Sequence, residues 1–418
     1  YIFSGTTTSN NGDVSGFHGF ADTWVVNLDS AGNILWQKCL GGTLDENNLH
    51  ITPTTEGGFA SVSWSASNDG NVTSNYGSDD FWVVKQDSAG TIEWQKNYGG
   101  SFQDMGNDIV QTVDGGFLLS GATLSNDSDV TGNHGFVDSW IVKIDSIGNL
   151  QWQKCLGGTG QDESLCTIQT SDGGYIVTSR CNSNDGNVTG SHGNTEGWVV
   201  KLDSAGTIIW QRCYGGTNHD FFFYAAETSS KNILFLGATY SNDGDVSGNH
   251  DTTATYADLW VVKTDSIGNI IWQKCMGGTN DESGYGIEET TDGGCIILGY
   301  TVSNNGDVNG NHGGHDFWVV KLAPDTVTGI PNSKLPITNY QFSPNPLTTQ
   351  SKLTFKNSNK EKFLFILYDI TGRLTETIST TNNEIILTKG NKQPGVYLFN
   401  LDNEKTGERW NGKIIVSN

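Results

Sequence analysis

Asp258-Leu-Trp-Val-Val-Lys-Thr-Asp265, continued by Gly268-Asn-Ile-Ile-Trp-Gln-Lys-Cys-Met-Gly-Gly278, is a unit that this chain repeats almost verbatim. Its Trp-Val/Ile-Val core falls at Trp24, Trp82, Trp140, Trp198, Trp260 and Trp318, at steps of 58, 58, 58, 62 and 58 residues. A period that regular marks an array of supersecondary units, none of which can bury its apolar face alone.

Aligning the chain on that period supplies the rest of the unit. After Gly-Gly comes an acidic pair (Asp45-Glu46, Asp162-Glu163, Asp281-Glu282), an alternating apolar run, and Asp-Gly-Gly with an aromatic or apolar residue, as in Asp114 to Phe117 and Asp172 to Tyr175. A second apolar run ends in Ser-Asn-Asp-Gly-Asp-Val and Gly-Asn-His-Gly, seen at Ser241 to Val246 and Gly310 to Gly313, which lead back to Asp-x-Trp-Val-Val. Asp-Gly-Gly supplies the positive φ of a tight hairpin, and Asp-Ser-Ala-Gly (Asp87 to Gly90, Asp203 to Gly206) is a second turn. Each unit thus offers four runs of strand length and no helical period. The expected fold is all-β: a β-propeller of about six four-stranded blades, then a small Ig-like β-sandwich. The unit exceeds the usual ~40–50 residues because one connection is long.

The blades are expected at about 1–42, 43–100, 101–158, 159–216, 217–278 and 279–322. The fifth carries a four-residue insertion near Thr252 to Tyr256. The first lacks its inner strand and the sixth its outer one. A segment of roughly 25–30 residues upstream of Tyr1 would supply both and close the ring, with seven blades if more is missing. There is no initiator Met and no signal peptide, so a fragment or processed product is expected.

Charge divides the chain. Residues 1–322 hold 12 Lys and Arg against 38 Asp and Glu, a net of −26, whereas residues 323–418 hold 11 against 8, a net of +3. The acidic part repels nucleic acid and anionic membrane. No run of apolar residues is long enough for a transmembrane segment. Eleven of the thirteen Trp occupy the two repeated Trp positions, as packing between adjacent blades demands. Of the seven Cys, Cys39, Cys155, Cys213 and Cys275 share one repeat position and read as small buried residues. Cys166 and Cys181 flank one hairpin, where a cross-strand disulfide is geometrically allowed.

From residue 323 the repeat vanishes: 323–339 is a Pro-rich linker and 340–418 a second domain of alternating strands. Ser343-Pro-Asn-Pro346, Leu367-Tyr-Asp-Ile-Thr-Gly-Arg373, Pro394-Gly-Val-Tyr-Leu-Phe399 and Gly412-Lys-Ile-Ile-Val416 resemble the type A C-terminal sorting domain of type IX secretion cargo in the Bacteroidetes. On that resemblance Pro344, Asn345, Pro346, Asp369, Gly372, Arg373, Gly395 and Tyr397 carry the sorting motif. It implies export through the periplasm to the outer cell surface or beyond. The implied partners are the type IX machinery and its sortase.

The function expected is that of a secreted binding or adhesion module for an extracellular glycan or protein. The long polar loops share one face, so the candidate binding residues lie there: His18, His134, His192, His250 and His312 with Asp45, Glu46, Asp162, Glu163, Asp281 and Glu282. Asp13, Asp69, Asp129, Asp185, Asp245 and Asp307 make calcium the candidate cofactor, since closely spaced oxygens beside Gly suit a hard cation. The competing reading is that these residues bond their own turns. The alternative function is an extracellular propeller enzyme acting on glycans, or an oxidoreductase, because Lys201 to Trp210 resembles the strand-turn-strand of quinoprotein dehydrogenases. The adjacent Cys-Cys pair of those enzymes is missing, as is a Gly-x-Ser-x-Gly elbow. A real active site should break the repeat in the central channel, and only Phe221-Phe-Phe-Tyr224 departs obviously from it.

Overall fold

The structure, a computed structural model, describes residues 1–324, 340–357, 359–369, 373–403, 405 and 409–417. The chain forms two compact units, Tyr1–Thr326 and Val327–Asn418. All regular structure among the described residues is β-strand in antiparallel sheets of three or four strands.

The first unit holds six sheets in chain order. They are β1 (Ile2–Thr7), β2 (Asp22–Leu28) and β3 (Ile34–Leu40), then β4 (Glu46–Pro53), β5 (Phe59–Ser65), β6 (Asp80–Gln86) and β7 (Ile92–Tyr98). Next come β8 (Asp104–Gln111), β9 (Phe117–Thr123), β10 (Asp138–Ile144) and β11 (Leu150–Leu156), and β12 (Asp162–Gln169), β13 (Tyr175–Cys181), β14 (Glu196–Leu202) and β15 (Ile208–Tyr214). The last two are β16 (Asp220–Glu227), β17 (Ile233–Thr239), β18 (Asp258–Thr264) and β19 (Ile270–Met276), and β20 (Glu282–Glu289), β21 (Cys295–Thr301) and β22 (Asp316–Leu322).

Alternation along the Trp strand explains how sheets join. Side chains of a strand point to opposite faces in turn, so Trp82 and Val84 of β6 pack with Val25 and Leu40 of the preceding sheet. Phe81 and Val83 meet Ile109, Phe117 and Trp140 of the next. Trp82, Trp140, Trp198 and Trp260 are fully buried. Each indole Nε1 donates to the Gln of the neighbouring strand (Gln95, Gln153, Gln211, Gln273) at 2.7 to 2.9 Å. Truncating such a Trp to Ala should cost about 3–5 kcal/mol.

The second Trp position bridges joints from outside. Trp36 and Trp94 donate to the carbonyls of Ser88 and Ser146, in the Asp-Ser-x-Gly turns of the following sheets. The turn glycines lie against those rings: a Cβ on Gly90, Gly148 or Gly206 would sit 2.9 to 3.1 Å from Trp36, Trp94 or Trp152. Their φ values of +76°, +80° and +77° also favour Gly. Packing therefore accounts for the Asp, Gly and Trp spacing that resembles quinoprotein dehydrogenases.

First strands of successive sheets touch, β4 with β8, β8 with β12, β12 with β16 and β16 with β20, while β1 meets β4. No comparable contact joins the last sheet to the first among the described residues. Consequently Phe317 and Val319 of β22 are 90% and 60% exposed, whereas their counterparts Leu259 and Val261 are buried by the following sheet. The cysteines are all free thiols. Cys166 stands opposite Thr178 and Cys181 opposite Asp162, so the hairpin register does not pair them for a disulfide.

The second unit comprises β23 (Tyr340–Ser343), β24 (Gln350–Phe355), β25 (Phe363–Asp369), β26 (Leu374–Thr380), β27 (Glu384–Thr388), β28 (Gly395–Asn403) and β29 (Arg409–Val416). Sheets β23-β24-β27 and β26-β25-β28-β29 share one core, including Leu353, Leu387, Phe365, Phe399 and Ile414.

Candidate functional site

The repeated loop residues turn out to be engaged with the scaffold. His18, His134, His192, His250 and His312 place Nδ1 against the carboxylate that opens the Trp strand: Asp22, Asp138, Glu196, Asp258 and Asp316, at 2.6 to 3.2 Å. The backbone N–H of each histidine donates to the same carboxylate. The pair ties the end of the long loop to its strand, and the five imidazoles do not converge.

The acidic candidates separate into two kinds. Glu46, Asp162 and Glu282 are wholly buried at the joints, where they accept from the second Gly of Gly-Gly (Gly42, Gly158, Gly278) at 2.7 to 2.8 Å. They are therefore not on an open loop face. Asp45 stays exposed, Asp281 accepts from the Ala257 N–H at 3.0 Å, and Glu163 is held by Arg180 and Asn107.

The six calcium candidates occupy two different loop positions. Asp69 and Asp185 cap the Gly-Gly-Thr turn, accepting from the N–H of Thr43 and Thr159 at 2.8 Å. Asp129, Asp245 and Asp307 donate their own N–H to Gly99, Gly215 and Gly277 carbonyls, and Asp13 is exposed. Among the described residues no three His, Cys, Asp or Glu side chains gather into a metal site.

Between sheets, two carboxylates face each other across a glycine. A Cβ on Gly99 would lie 2.3 Å from Asp80 Oδ1 and 2.8 Å from Asp104 Oδ2. Asp80 is buried, and its Oδ1 has no hydrogen-bond partner. Burial, assisted by the charges of Asp104 and Asp129 and opposed by the Tyr76 N–H, pushes its carboxyl up to about 7. Asp258, also desolvated but bonded to His250, reaches only about 6. Tyr76 replaces the histidine that other sheets carry, so Asp80 lacks that partner, and the Asp104, Asp129 and Asp79 charges add to its desolvation.

What breaks the repeat lies on the first strands. Position five of β4, β8, β12, β16 and β20 reads His50, Asp108, Cys166, Tyr224 and Gly286, and a bulge precedes it in every strand. Bulges re-aim side chains. Here they border a cavity of about 410 Å³ lined by all five strands, including Asn107, Phe223 and Tyr285. His50 Nδ1 lies 2.6 Å from Asp108 Oδ1. Asp108 is itself fixed by the N–H of Thr167 at 2.6 Å and of Ile109 at 2.9 Å. With Nδ1 committed, Nε2 is the ring atom left for a ligand. Desolvation by the cavity walls opposes protonation of His50, whose side chain is still 46% exposed, but the Asp108 hydrogen bond and charge, with the Ile109 carbonyl, outweigh it and raise the imidazole above its usual value. Burial and the Asp108 charge push the Cys166 thiol up, so it is not a poised thiolate.

The sequence reading missed His50, Asp108 and Tyr285. The signal available was non-repetition at one strand position, of which only Phe221 to Tyr224 was noticed.

In the second unit, Asn345 Oδ1 accepts from the Ile415 N–H at 2.9 Å, with Pro344 and Pro346 on either side, each following a cis peptide bond. Arg373 Nε donates to Asp369 at 2.9 Å, and Tyr397, buried, donates to the Gln393 carbonyl at 3.1 Å. Gly395 opens β28, and Gly372 lies outside the described residues.

These features define an all-β protein with tandem antiparallel sheets around a polar and aromatic cavity. No family model matches the chain, and no curated protein matches it. Among solved structures it is similar to PorZ, an essential bacterial surface component of the type-IX secretion system of Porphyromonas gingivalis. The TM-score is 0.36 at 10% identity, over 97% of this chain and 53% of that one. It is also similar to a glycoside hydrolase family 32 protein from Bifidobacterium adolescentis, at TM-score 0.28 and 8% identity, over 89% and 76% of the two chains. The chain spans about half the length of that PorZ chain. Likenesses of this strength carry no argument about what the chain does.

Proposed function

We propose that this is a secreted or cell-surface binding protein whose ligand sits in the cavity bordered by β4, β8, β12, β16 and β20. The observation that carries the reading is the single His50–Asp108 pair, at a position that five sheets each fill differently. A scaffold repeats what its packing needs, whereas a site needs particular groups once. The cavity volume falls within the ~300–1,000 Å³ of small-ligand pockets, and apolar walls with a few convergent polar groups are their usual make-up.

In this reading the six sheets make a propeller whose ring closes through the first and last of them, and residues 340–418 form an Ig-like sandwich. That sandwich acts as the sorting domain presented to type IX machinery and its sortase, with 323–339 as the linker. The sequence motifs support it, and truncation after residue 330 should abolish appearance at the surface of a type IX-competent host. Normal display without the tail refutes the sorting role.

Binding is tested by applying the intact chain to glycan and peptide arrays and repeating the positives with His50→Ala. Loss of binding in the variant supports the cavity; unchanged binding excludes it. A second reading is hydrolysis, which the dyad also favours because a carboxylate-oriented imidazole is a general base. Release of product from any bound array ligand would replace binding by turnover.

A further inference from the structure

The tandem sheets serve as internal controls, and their aromatic departures from the common pattern gather in the fifth and sixth. Phe221 stands where Asn47, Met105, Glu163 and Ser283 stand elsewhere. Phe223 and Tyr285 replace Leu49, Asn107 and Leu165 at the bulged position. Tyr240 replaces Ala66, Leu124, Asn182 and Val302.

These rings meet in space. Phe221 and Phe223 pack edge to face with centroids 5.2 Å apart, and Tyr240 lies 6.5 Å from Phe221. Phe223 and Tyr285 line the cavity that holds His50, Asp108 and Asn107. Tyr285 is 53% exposed, and the other three rings are only partly buried. Rings placed for packing alone would be covered, as Phe222 beside them is.

We propose that this aromatic track, running into the cavity, is a binding path for a neutral oligosaccharide; the proposal rests on the cavity being the ligand seat. A pyranose presents an apolar C–H face and a rim of hydroxyls. Flat half-exposed rings match the first, and the Asn107 side-chain carbonyl, Asp108 and the His50 Nε2 offer the polar groups that match the second, the Asn107 amide nitrogen being held by Glu163 and the Ser164 carbonyl. The net charge of −26 over residues 1–322 selects against acidic sugars. An extended peptide laid on ring faces would leave its backbone amides without partners.

The test is titration calorimetry of the intact chain with cellohexaose, laminarihexaose and maltohexaose, with an oligogalacturonate and a lysine-rich peptide as contrasts. At least one neutral hexaose should bind and the oligogalacturonate should not. Phe223→Leu and Tyr285→Leu install the residue of two sister sheets, so the fold is kept, and unchanged melting curves would verify it. Each should weaken the neutral sugar at least about tenfold, as loss of an aromatic anchor does, while His134→Ala should have no effect. The proposal is overturned if no neutral hexaose binds, or if both Leu variants bind as the parent does. Peptide binding lost in His50→Ala but retained in Tyr285→Leu overturns the sugar assignment and leaves the cavity as the seat. Failure of every array ligand to respond to His50→Ala removes both.

Discussion

Replacing Tyr76 by His should make the first unit more stable at pH 8 and change little at pH 4. Asp80 opens the second sheet's Trp strand as Asp258 opens the fifth's, but it meets the Tyr76 N–H at 2.5 Å with no imidazole beside it. Desolvation therefore lifts Asp80 from 3.8 to about 7, and Asp258 only to about 6. A carboxyl raised in the folded state stabilises fully below its unfolded value, and that contribution is lost as pH rises through the folded value. For Asp80 the window runs from about 4 to about 7 and is worth about 4 kcal/mol at most, at 1.36 kcal/mol per unit. An imidazole that brings Asp80 to the level of Asp258 returns one unit, about 1.4 kcal/mol, or about 3 °C in Tm for a unit of this size. Asp80→Asn removes that ionisation and should make the fall in stability between pH 4 and 7 shallower, with the remainder carried by raised carboxyls such as Asp258. Thermal melts of the parent and both variants across pH 4 to 8.5 measure this. Parent stability rising with pH through 4 to 7, or a Tyr76→His variant no more stable than the parent at pH 8, would refute the reasoning.

Other consequences can be checked in parallel. Asp108→Asn should lower the His50 pKa below the parent's in a nitrogen-detected NMR titration, because desolvation is then opposed only by the Ile109 carbonyl; an unchanged value would mean that Asp108 does not set it. Calcium and magnesium at equal ionic strength should shift the melt equally, since the Asp69 and Asp185 carboxylates already cap backbone amides; calcium-specific stabilisation would restore those loops as a metal site. Phe317→Ala should cost about 3 kcal/mol if the ring closes over β22 as proposed, and close to nothing if that face stays as open as it stands.

Much of the architecture was legible because repetition averages out local ambiguity. One Trp-Val-Val run is an ambiguous apolar stretch, but six at a near-constant period, five of them followed by Asp-Ser-x-Gly, identify strands and turns together. The same regularity misdirected the reading of the site. His134 and Asp162 recur, are polar and adjoin loops, so they read as a binding face. Only the fold reveals that His134 is paired with Asp138 and that Asp162 is buried beneath Gly158. Conversely His50, Asp108 and Tyr285 occur once each and look like noise against the repeat. Their proximity depends on five strands spread over more than 230 residues of sequence, from Leu49 to Tyr285, coming to one cavity, which no local pattern encodes. Sharing between termini predicts ring closure, and Phe317 and Val319, 90% and 60% exposed, are the residues that closure would cover.

The most direct measurement is a crystal structure of the intact chain soaked with the tightest array ligand. The account predicts ligand density in the cavity, with His50 Nε2 or Asp108 within hydrogen-bond distance and the ligand against Tyr285. Density instead among the outer loops around His134 and His192, with the cavity holding only water, would contradict it.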